Sequence, residues 1–203
     1  MFITIEGIDG CGKSTQSEKL AQWLTERTGR ETIRTFEPGG FSGGDSLRKF
    51  ILESRNYSPK SELLLFLADR AEHTEKVIAP ALKNNCNVIC ERWNESTIAY
   101  QSGGHKLKFD EVKRLIEACN FPEPDAKIWL DIPPELAVSR ILSRTQRDKF
   151  EDEGLALMVK VSEAYRKLAE AGQFQLARID CGNHDESEVF AMITAEIERH
   201  LAE

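Results

Sequence analysis

The sequence lacks the paired cysteines, the long apolar runs and the excess of basic residues that mark several common classes of protein. Its five cysteines are scattered and none forms a C-x-x-C pair, which argues against a zinc site or a disulfide framework. No apolar run approaches the length of a membrane-spanning helix. The formal net charge of -7 argues against a general nucleic-acid binder. We therefore expect neither a membrane nor a nucleic acid as partner.

The cysteine pattern and the first residues favour a cytoplasmic protein. An odd number of dispersed thiols is typical of a reducing compartment. The chain opens with residues of core-strand character, which leaves no room for a signal peptide. With 203 residues, of which 40% are hydrophobic and 30% charged, we expect one domain over residues 1–203.

A glycine-rich segment near the N-terminus carries the strongest chemical signal. A strand-like stretch over residues 2–6 runs into GIDGCGKS at 7–14, which matches G-x-x-x-x-G-K-[ST] at every fixed position. The glycines allow backbone N–H groups to form an anion nest, and the following helix adds its positive end. Lys13 would reach the β- and γ-phosphates of ATP, and Ser14 would be a ligand of Mg²⁺. The predicted ATP-binding residues are Gly7, Ile8, Asp9, Gly10, Cys11, Gly12, Lys13, Ser14 and Thr15.

Strands alternate with helices along the chain, which predicts an α/β fold. Strands are predicted at residues 2–6, 31–36, 87–90, 125–131 and 174–179, and helices at 14–28, 45–53, 94–103, 110–119, 163–171 and 186–201, with further helices from 58 and from 134. This order predicts the P-loop NTPase fold, with a central parallel five-stranded sheet flanked by helices. Ligands should collect at the carboxyl ends of its strands.

Three arginines follow predicted strands or face the same sheet edge, and together they predict a second anion site. Taken alone, each of Arg48, Arg70 and Arg92 is more often a surface cation than a ligand, and their shared position at the predicted sheet edge favours the joint interpretation. Phe66 lies four residues before Arg70, so the pair could stack on a base and bond its edge. Spacing alone nevertheless favours Phe66 as a core residue, because it lies among Leu63, Leu64 and Leu67. No N-K-x-D stretch is present, which argues against a GTPase-type switch.

A charged tract over residues 140–153 predicts either a solvated helical face or a short basic lid. Arg140, Arg144 and Arg147 recur at helical spacing and are accompanied by acidic neighbours. The lid interpretation would bring arginines over the transferring phosphoryl group, where such a group can be worth on the order of 10³- to 10⁵-fold in rate.

The chain resembles the thymidylate kinase family along nearly its whole length. The motifs that carry the resemblance are FITIEGIDGCGKST at the start, EPGG at 37–40, LFLADRAEH at 65–73, ERWNESTIAYQSGG at 91–104, IWLDIPPELAVSRI at 128–141 and the arginine stretch to residue 153. The resemblance implies phosphorylation of dTMP to dTDP with ATP, a step in dTTP biosynthesis, with Mg²⁺ as cofactor and a homodimer as assembly.

The same resemblance implies a role for each matching residue. Lys13 and Ser14 would hold ATP and Mg²⁺, with Asp9 facing the metal and the acceptor sugar and Glu91 a further candidate near the metal. The implied catalytic residues are Lys13, Asp9, Arg92 and the lid arginines Arg140, Arg144 and Arg147. The implied substrate-binding residues are Glu37, Pro38, Arg48, Phe66, Arg70, Arg92, Ser96, Thr97, Tyr100 and Gln101.

Within that set, Phe66 would stack on thymine while Arg70 bonds its edge. Arg48 and Arg92 would hold the acceptor phosphate. Tyr100 would crowd the position where a ribose carries its 2′-hydroxyl. Gly10 stands where some subgroups place an arginine, which favours the bacterial type with lid arginines.

Four positions depart from the usual family pattern: Phe36, Glu91, His105 and Lys149. Glu91-Arg92 also resembles deoxynucleoside kinases, in which such a carboxylate pairs with a hydroxyl acceptor. The alternatives are therefore a deoxynucleoside kinase or another nucleoside monophosphate kinase, and, from a different class, a non-catalytic nucleotide-binding switch.

Overall fold

The computed structural model describes residues 1–53, 57–105, 107–142 and 154–202, and its centre is a parallel β-sheet. Within these residues five strands pair in the order β2-β3-β1-β4-β5, and every pairing is parallel. All residues of β1, β3 and β4 are buried, as expected of strands covered on both faces. The strands are β1 (Phe2–Glu6), β2 (Thr32–Phe36), β3 (Asn87–Glu91), β4 (Ala126–Asp131) and β5 (Leu176–Asp180).

Helices cover both faces of the sheet and connect its strands. They are α1 (Lys13–Thr28), α2 (Gly44–Glu53), α3 (Pro59–His73), α4 (Ala79–Lys83), α5 (Asn94–Ile98), α6 (Phe109–Cys119), α7 (Pro134–Leu142), α8 (Gly154–Glu170) and α9 (Glu186–Ala202). Two wider π-helical segments, Thr74–Ile78 and Ala99–Gly104, extend α3 and α5. Among the described residues, no helix is long and apolar enough to cross a membrane.

Helix α8 approaches the π-helical segment after α5 closely, and this contact shapes one wall of the molecule. A Cβ on Gly103 would lie 2.6 Å from the Cβ of Ala164. Tyr165, on the same helix, stacks on Trp129 of β4 with ring centroids 5.9 Å apart. The helix therefore joins the sheet to the segment that carries residues 99–104.

The predicted strands and helices are confirmed with small shifts at their ends, and one helix is substantially longer than predicted. Helix α8 begins at Gly154, whereas the sequence prediction started it at residue 163. Leu157, Met158 and Val161 are buried on one face, which the neighbouring charged tract concealed. The predicted lid over 140–153 lies mostly outside the described residues, which stop at 142 and resume at 154.

Candidate active site

The carboxyl ends of three neighbouring strands bring the predicted site residues to one edge of the sheet. In the register, Glu91 at the end of β3 is paired with Ile5 of β1 on one side and with Phe36 of β2 on the other. The segments that follow these strands carry Asp9, Glu37 and Arg92. Residues far apart in the chain therefore meet, as the strand order predicted.

The glycine loop between β1 and α1 has the backbone conformation expected of an anion nest. Gly10 has a φ of 82°, and a Cβ there would lie 2.5 Å from the carbonyl oxygen of Ala137, so a larger residue cannot be accommodated. Lys13 is 7% exposed, and its ammonium donates to the carbonyls of Gly7 at 3.1 Å and Ile8 at 2.9 Å. The loop is thus folded with its lysine held against it.

Two serines on α1 bind the carboxylate at the end of β3. Ser14 Oγ donates to Glu91 Oε2 at 2.8 Å, and Ser17 Oγ donates to Glu91 Oε1 at 2.6 Å. A hydroxyl and a carboxylate side by side are the oxygen ligands that Mg²⁺ prefers, so these residues fit that ion. Glu91 does not line the acceptor cleft described below, unlike the carboxylate that a hydroxyl acceptor would need.

Arg92 lies against the glycine loop and is held on three sides. Its guanidinium donates to the Gly7 carbonyl at 3.2 Å, forms an ion pair with Asp9 and lies 5.1 Å from the centroid of the Tyr100 ring. Its backbone is left-handed, with a φ of 72°, which costs a non-glycine residue about 1 to 2 kcal/mol. This backbone conformation lowers stability, and it accompanies the contacts of the Arg92 guanidinium with Gly7 and Asp9.

Asp9 is the carboxylate that balances this cation. Burial would raise the pKa of Asp9, but the charges of Arg92 and Lys13 outweigh burial and lower the pKa to about 2. The Tyr100 hydroxyl also donates to Asp9 Oδ2 at 3.2 Å. Asp9 is therefore ionised at neutral pH and couples the glycine loop to the neighbouring cleft.

All ten predicted substrate-binding residues line one cleft beside the glycine loop, which we call the acceptor cleft. Its empty volume is about 580 Å³. The sequence prediction missed Leu52 of α2, which is an ordinary core residue by its pattern. The cleft is lined by Asp9, Glu37, Pro38, Arg48, Leu52, Phe66, Arg70, Arg92, Ser96, Thr97, Tyr100 and Gln101.

Arg70 is anchored in the wall of the acceptor cleft by other side chains. It is 2% exposed, and it pairs with Glu37 at 2.7 Å. Its Nη1 donates to Thr97 Oγ1 at 2.9 Å and to Asn94 Oδ1 at 3.1 Å, and its Nη2 donates to the Trp93 carbonyl at 3.0 Å. A base entering the cleft would share these donors.

Glu37 reaches past Arg70 to a buried histidine that the sequence prediction did not single out. His73 Nδ1 lies 2.9 Å from Glu37 Oε1, and His73 Nε2 lies 2.6 Å from Thr35 Oγ1. These bonds tie α3 to the segment after β2. His73 lies three residues after Arg70 on the same helix face, the one spacing signal that could have marked it.

Arg48 lies against Phe36, one of the four residues that depart from the usual family pattern. Its guanidinium donates to the Pro38 carbonyl at 2.8 Å and lies 5.3 Å from the centroid of the Phe36 ring. An aromatic ring at position 36 thus supports the arginine at the mouth of the acceptor cleft.

A second cleft lies on the other side of the glycine loop, and we call it the donor cleft. Its empty volume is about 690 Å³. Arg140 of α7 lines it and donates to the Gly10 carbonyl at 3.3 Å. Arg144, Arg147 and Lys149 lie outside the described residues. The donor cleft is lined by Gly10, Cys11, Gly12, Thr15, Gln16, Arg140, Cys181, His184, Glu186 and Val189.

The residues after β5 in this list were not predicted. Cys181, His184 and Glu186 belong to the segment that leads into α9. Their only signal in the sequence is position, since they follow the last strand of a parallel sheet.

Sequence comparison shows that this chain is similar to thymidylate kinases over most of its length. A family model described as thymidylate kinase matches residues 5–193. A thymidylate kinase from Synechococcus sp. (strain JA-3-3Ab) is 43% identical over 183 residues, covering 90% of this chain and 88% of the relative. One from Geotalea daltonii is 40% identical over 209 residues, covering 98% and 97%.

A solved structure is similar over almost the entire chain. The crystal structure of thymidylate kinase from Ehrlichia chaffeensis matches with a TM-score of 0.79 at 30% identity, and the match covers 98% of each chain. The similarity therefore extends over the five-stranded sheet and the helices that flank it.

Proposed function

We propose roles for the residues of the two clefts from the premise that this chain belongs to the thymidylate kinase family, which the matches over nearly its whole length establish. It has the P-loop NTPase fold and phosphorylates dTMP to dTDP, with ATP as phosphate donor. The observation that supports the assignment of residues is the acceptor cleft, whose lining contains every predicted substrate-binding residue and which adjoins the glycine loop through Asp9.

On the donor side, the loop over residues 7–15 receives the triphosphate of ATP. Lys13, now bound to loop carbonyls, turns to the β- and γ-phosphates. Ser14 and Glu91 would hold Mg²⁺, with Asp9 near it, and the ion would neutralise charge on the phosphates when bound. Arg140 lines the donor cleft and faces the nucleotide.

On the acceptor side, the cleft binds dTMP with its phosphate toward the glycine loop. Arg92 and Arg48 bind the acceptor phosphate, and Phe66 stacks on thymine. Arg70, Thr97 and Gln101 contact the edge of the base, while Tyr100 crowds the sugar. Glu37, Pro38 and Ser96 complete the wall.

The chemistry needs positioning and cations but no general base. The second pKa of a phosphate monoester is about 6, so the attacking oxygen of dTMP is already anionic at neutral pH. The difficulty is to bring two repelling phosphates into line, and Arg92 lines the acceptor cleft while it contacts Gly7 and Asp9 of the glycine loop. Arg144 and Arg147 of the proposed lid would cover the transferring phosphoryl group.

Three further proposals concern the protein as a whole. We expect a single domain and a homodimer, because Leu64 on α3 and Phe109 on α6 remain 50% and 37% exposed on helices that pack together. We also expect a cytoplasmic location, because all five cysteines lie in the described residues and are free thiols. Light scattering of the purified protein tests the dimer.

A panel of acceptors tests the proposed function. With ATP and Mg²⁺, dTMP should give multiple turnovers to ADP and dTDP, with dUMP poorer and thymidine inert. Turnover of thymidine above dTMP would favour the deoxynucleoside kinase alternative. An Arg92→Ala variant should lose most of the activity, since it removes the cation that lies between the acceptor cleft and the glycine loop. Normal activity in it would contradict the assignment.

A further inference from the structure

Gln101 presents one satisfied end and one unsatisfied end of its amide. The side chain is 0% exposed and lines the acceptor cleft. Its Nε2 donates to Glu62 Oε1 at 3.0 Å. Its Oε1 has no hydrogen-bond partner among the residues that the structure describes. A buried carbonyl oxygen without a donor is uncommon and marks a place where a donor is expected.

Glu62 determines the orientation of the Gln101 side-chain amide, because it accepts a hydrogen bond from the nitrogen end. It lies on α3 one helical turn before Phe66 and is 4% exposed. The same oxygen that accepts from Gln101 also lies 2.9 Å from His105 Nδ1. Gln101 Nε2 donates to this carboxylate oxygen, and His105 Nδ1 lies within hydrogen-bond distance of it, so two N–H donors converge on the same oxygen. If the Gln101 amide flipped, two oxygens would face each other.

The fixed orientation gives the acceptor cleft an oxygen that can only accept. Thymine and uracil carry an N–H at ring position 3, which complements such an oxygen. Cytosine has a lone pair at that position, which would face the Gln101 oxygen and leave both groups unpaired. A site built to bond one partner rejects an analogue that lacks the bonding group strongly.

We propose that Glu62, supported by His105, is a positioning residue that holds the Gln101 amide with its oxygen toward the acceptor base, and that this orientation makes the enzyme prefer bases with an N–H at position 3 over cytosine. The inference rests on the proposed function, in which dTMP occupies this cleft, and adds a determinant of base selectivity. It also gives His105, one of the four unusual residues, a defined contact.

The test is a Glu62→Gln variant assayed with dTMP, dUMP and dCMP. A glutamine at 62 can donate or accept, so the Gln101 amide is no longer restricted to one orientation. The ratio of kcat/KM for dTMP to that for dCMP should fall about tenfold or more. The ratio for dTMP to dUMP should stay unchanged, since both bases carry the same N–H.

Two further variants make the result decisive. Gln101→Met removes the oxygen, and it should reduce the preference for dTMP over dCMP as strongly as Glu62→Gln does. Glu111→Gln changes a carboxylate on α6 that pairs with Lys60 of α3 at 2.6 Å, outside the cleft, and should leave every ratio unchanged. Thermal unfolding and KM for ATP report whether Glu62→Gln is folded.

The outcomes separate this inference from the proposed function. An equal loss for dTMP and dCMP in Glu62→Gln would make Glu62 a merely structural residue and overturn the inference. An unchanged ratio in Gln101→Met would overturn it as well. Failure of the unaltered enzyme to turn over dTMP would instead sink the proposed function.

Discussion

The donor cleft and the acceptor cleft lie on two sides of the same glycine loop but are built in different ways. The donor cleft is formed by the loop itself, by Arg140 and by exposed residues such as His184 and Glu186. The acceptor cleft is formed by residues of α2, α3, α5 and the π-helical segment after α5, together with residues that follow β1, β2 and β3. Several of these side chains bond one another, with Arg70 as their centre. The donor cleft thus takes three of its ten lining residues from the glycine loop itself, whereas the acceptor cleft depends on side chains that bond one another.

The difference follows from what each cleft must recognise. A triphosphate is bound through charge and backbone N–H groups, which a short local motif can supply. A particular base and sugar require donors and acceptors at set positions, and only side chains from several elements provide them. The following predictions test this division, beginning with the largest expected effect.

The Lys13→Ala change should damage the donor side alone. Loss of a cation at the transferring phosphates is expected to lower kcat on the order of 10²- to 10³-fold. Binding of dTMP, measured by calorimetry without ATP, should be unchanged because Lys13 does not line the acceptor cleft. Lys113→Ala, on the surface of α6, is the matched control. Weakened dTMP binding in Lys13→Ala would show that the two clefts are not separate in this respect.

Glu6, directly before the glycine loop, should make stability depend on pH. Burial, with the nearby charge of Glu95, raises the pKa of Glu6 from 4.5 to about 7, although Ser96, Arg92 and Arg70 oppose the shift. Geometry agrees, because Glu6, Ser96 and Tyr165 make three mutual oxygen contacts of 2.5, 2.7 and 3.1 Å. The two hydroxyls supply only two protons, so a neutral Glu6 would supply the third.

The folded protein therefore keeps this proton between pH 4.5 and 7, whereas the unfolded chain has lost it. Stability should fall as pH rises through that window, by up to about 3 kcal/mol in total. Glu6→Gln should remove this part of the slope and be the more stable form at pH 8. Urea unfolding from pH 5 to 8 measures the effect, and parallel slopes for both proteins would contradict it.

Two substitutions of Tyr100 distinguish the contribution of its ring from that of its hydroxyl in the acceptor cleft. Tyr100→Ala opens the space that a ribose 2′-hydroxyl would fill, so the preference for dTMP over its ribonucleotide counterpart should fall roughly tenfold. Tyr100→Phe keeps the ring beneath Arg92 and removes the hydroxyl with its bond to Asp9, so it should retain most of the preference. The ratio of kcat/KM for the two substrates decides, and an equal loss in both variants would assign the effect to the hydroxyl.

Phe36 should have the smallest effect, confined to KM for dTMP. Removing the ring beside Arg48 in Phe36→Ala loses a partly exposed cation–π contact of about 0.5 to 1 kcal/mol, which corresponds to a two- to fivefold rise in KM. Phe50→Ala, on the outer face of α2, is the control. A fall in kcat without a change in KM would mean that Arg48 acts on the reaction and not on binding.

The sequence predicted elements more accurately where the signal is local. The strand over residues 2–6 and the glycine loop were located from adjacent residues, and both are confirmed. The start of α8 was predicted nine residues late, because the burial of Leu157 and Met158 depends on contacts with distant segments. The donor-cleft residues after β5 were missed because their position after the last strand is their only signal, and no motif accompanies it.

By itself the sequence determined the donor loop, the alternation of strands and helices, and the family, because each depends on short segments read in order. Tertiary structure decided which way Glu91 faces, how Arg70 is anchored, and which end of the Gln101 amide meets the acceptor. These three features depend on contacts between side chains that lie dozens of residues apart in the chain. Such pairings arise only when parallel strands bring their ends to one edge, and spacing along the chain does not specify them.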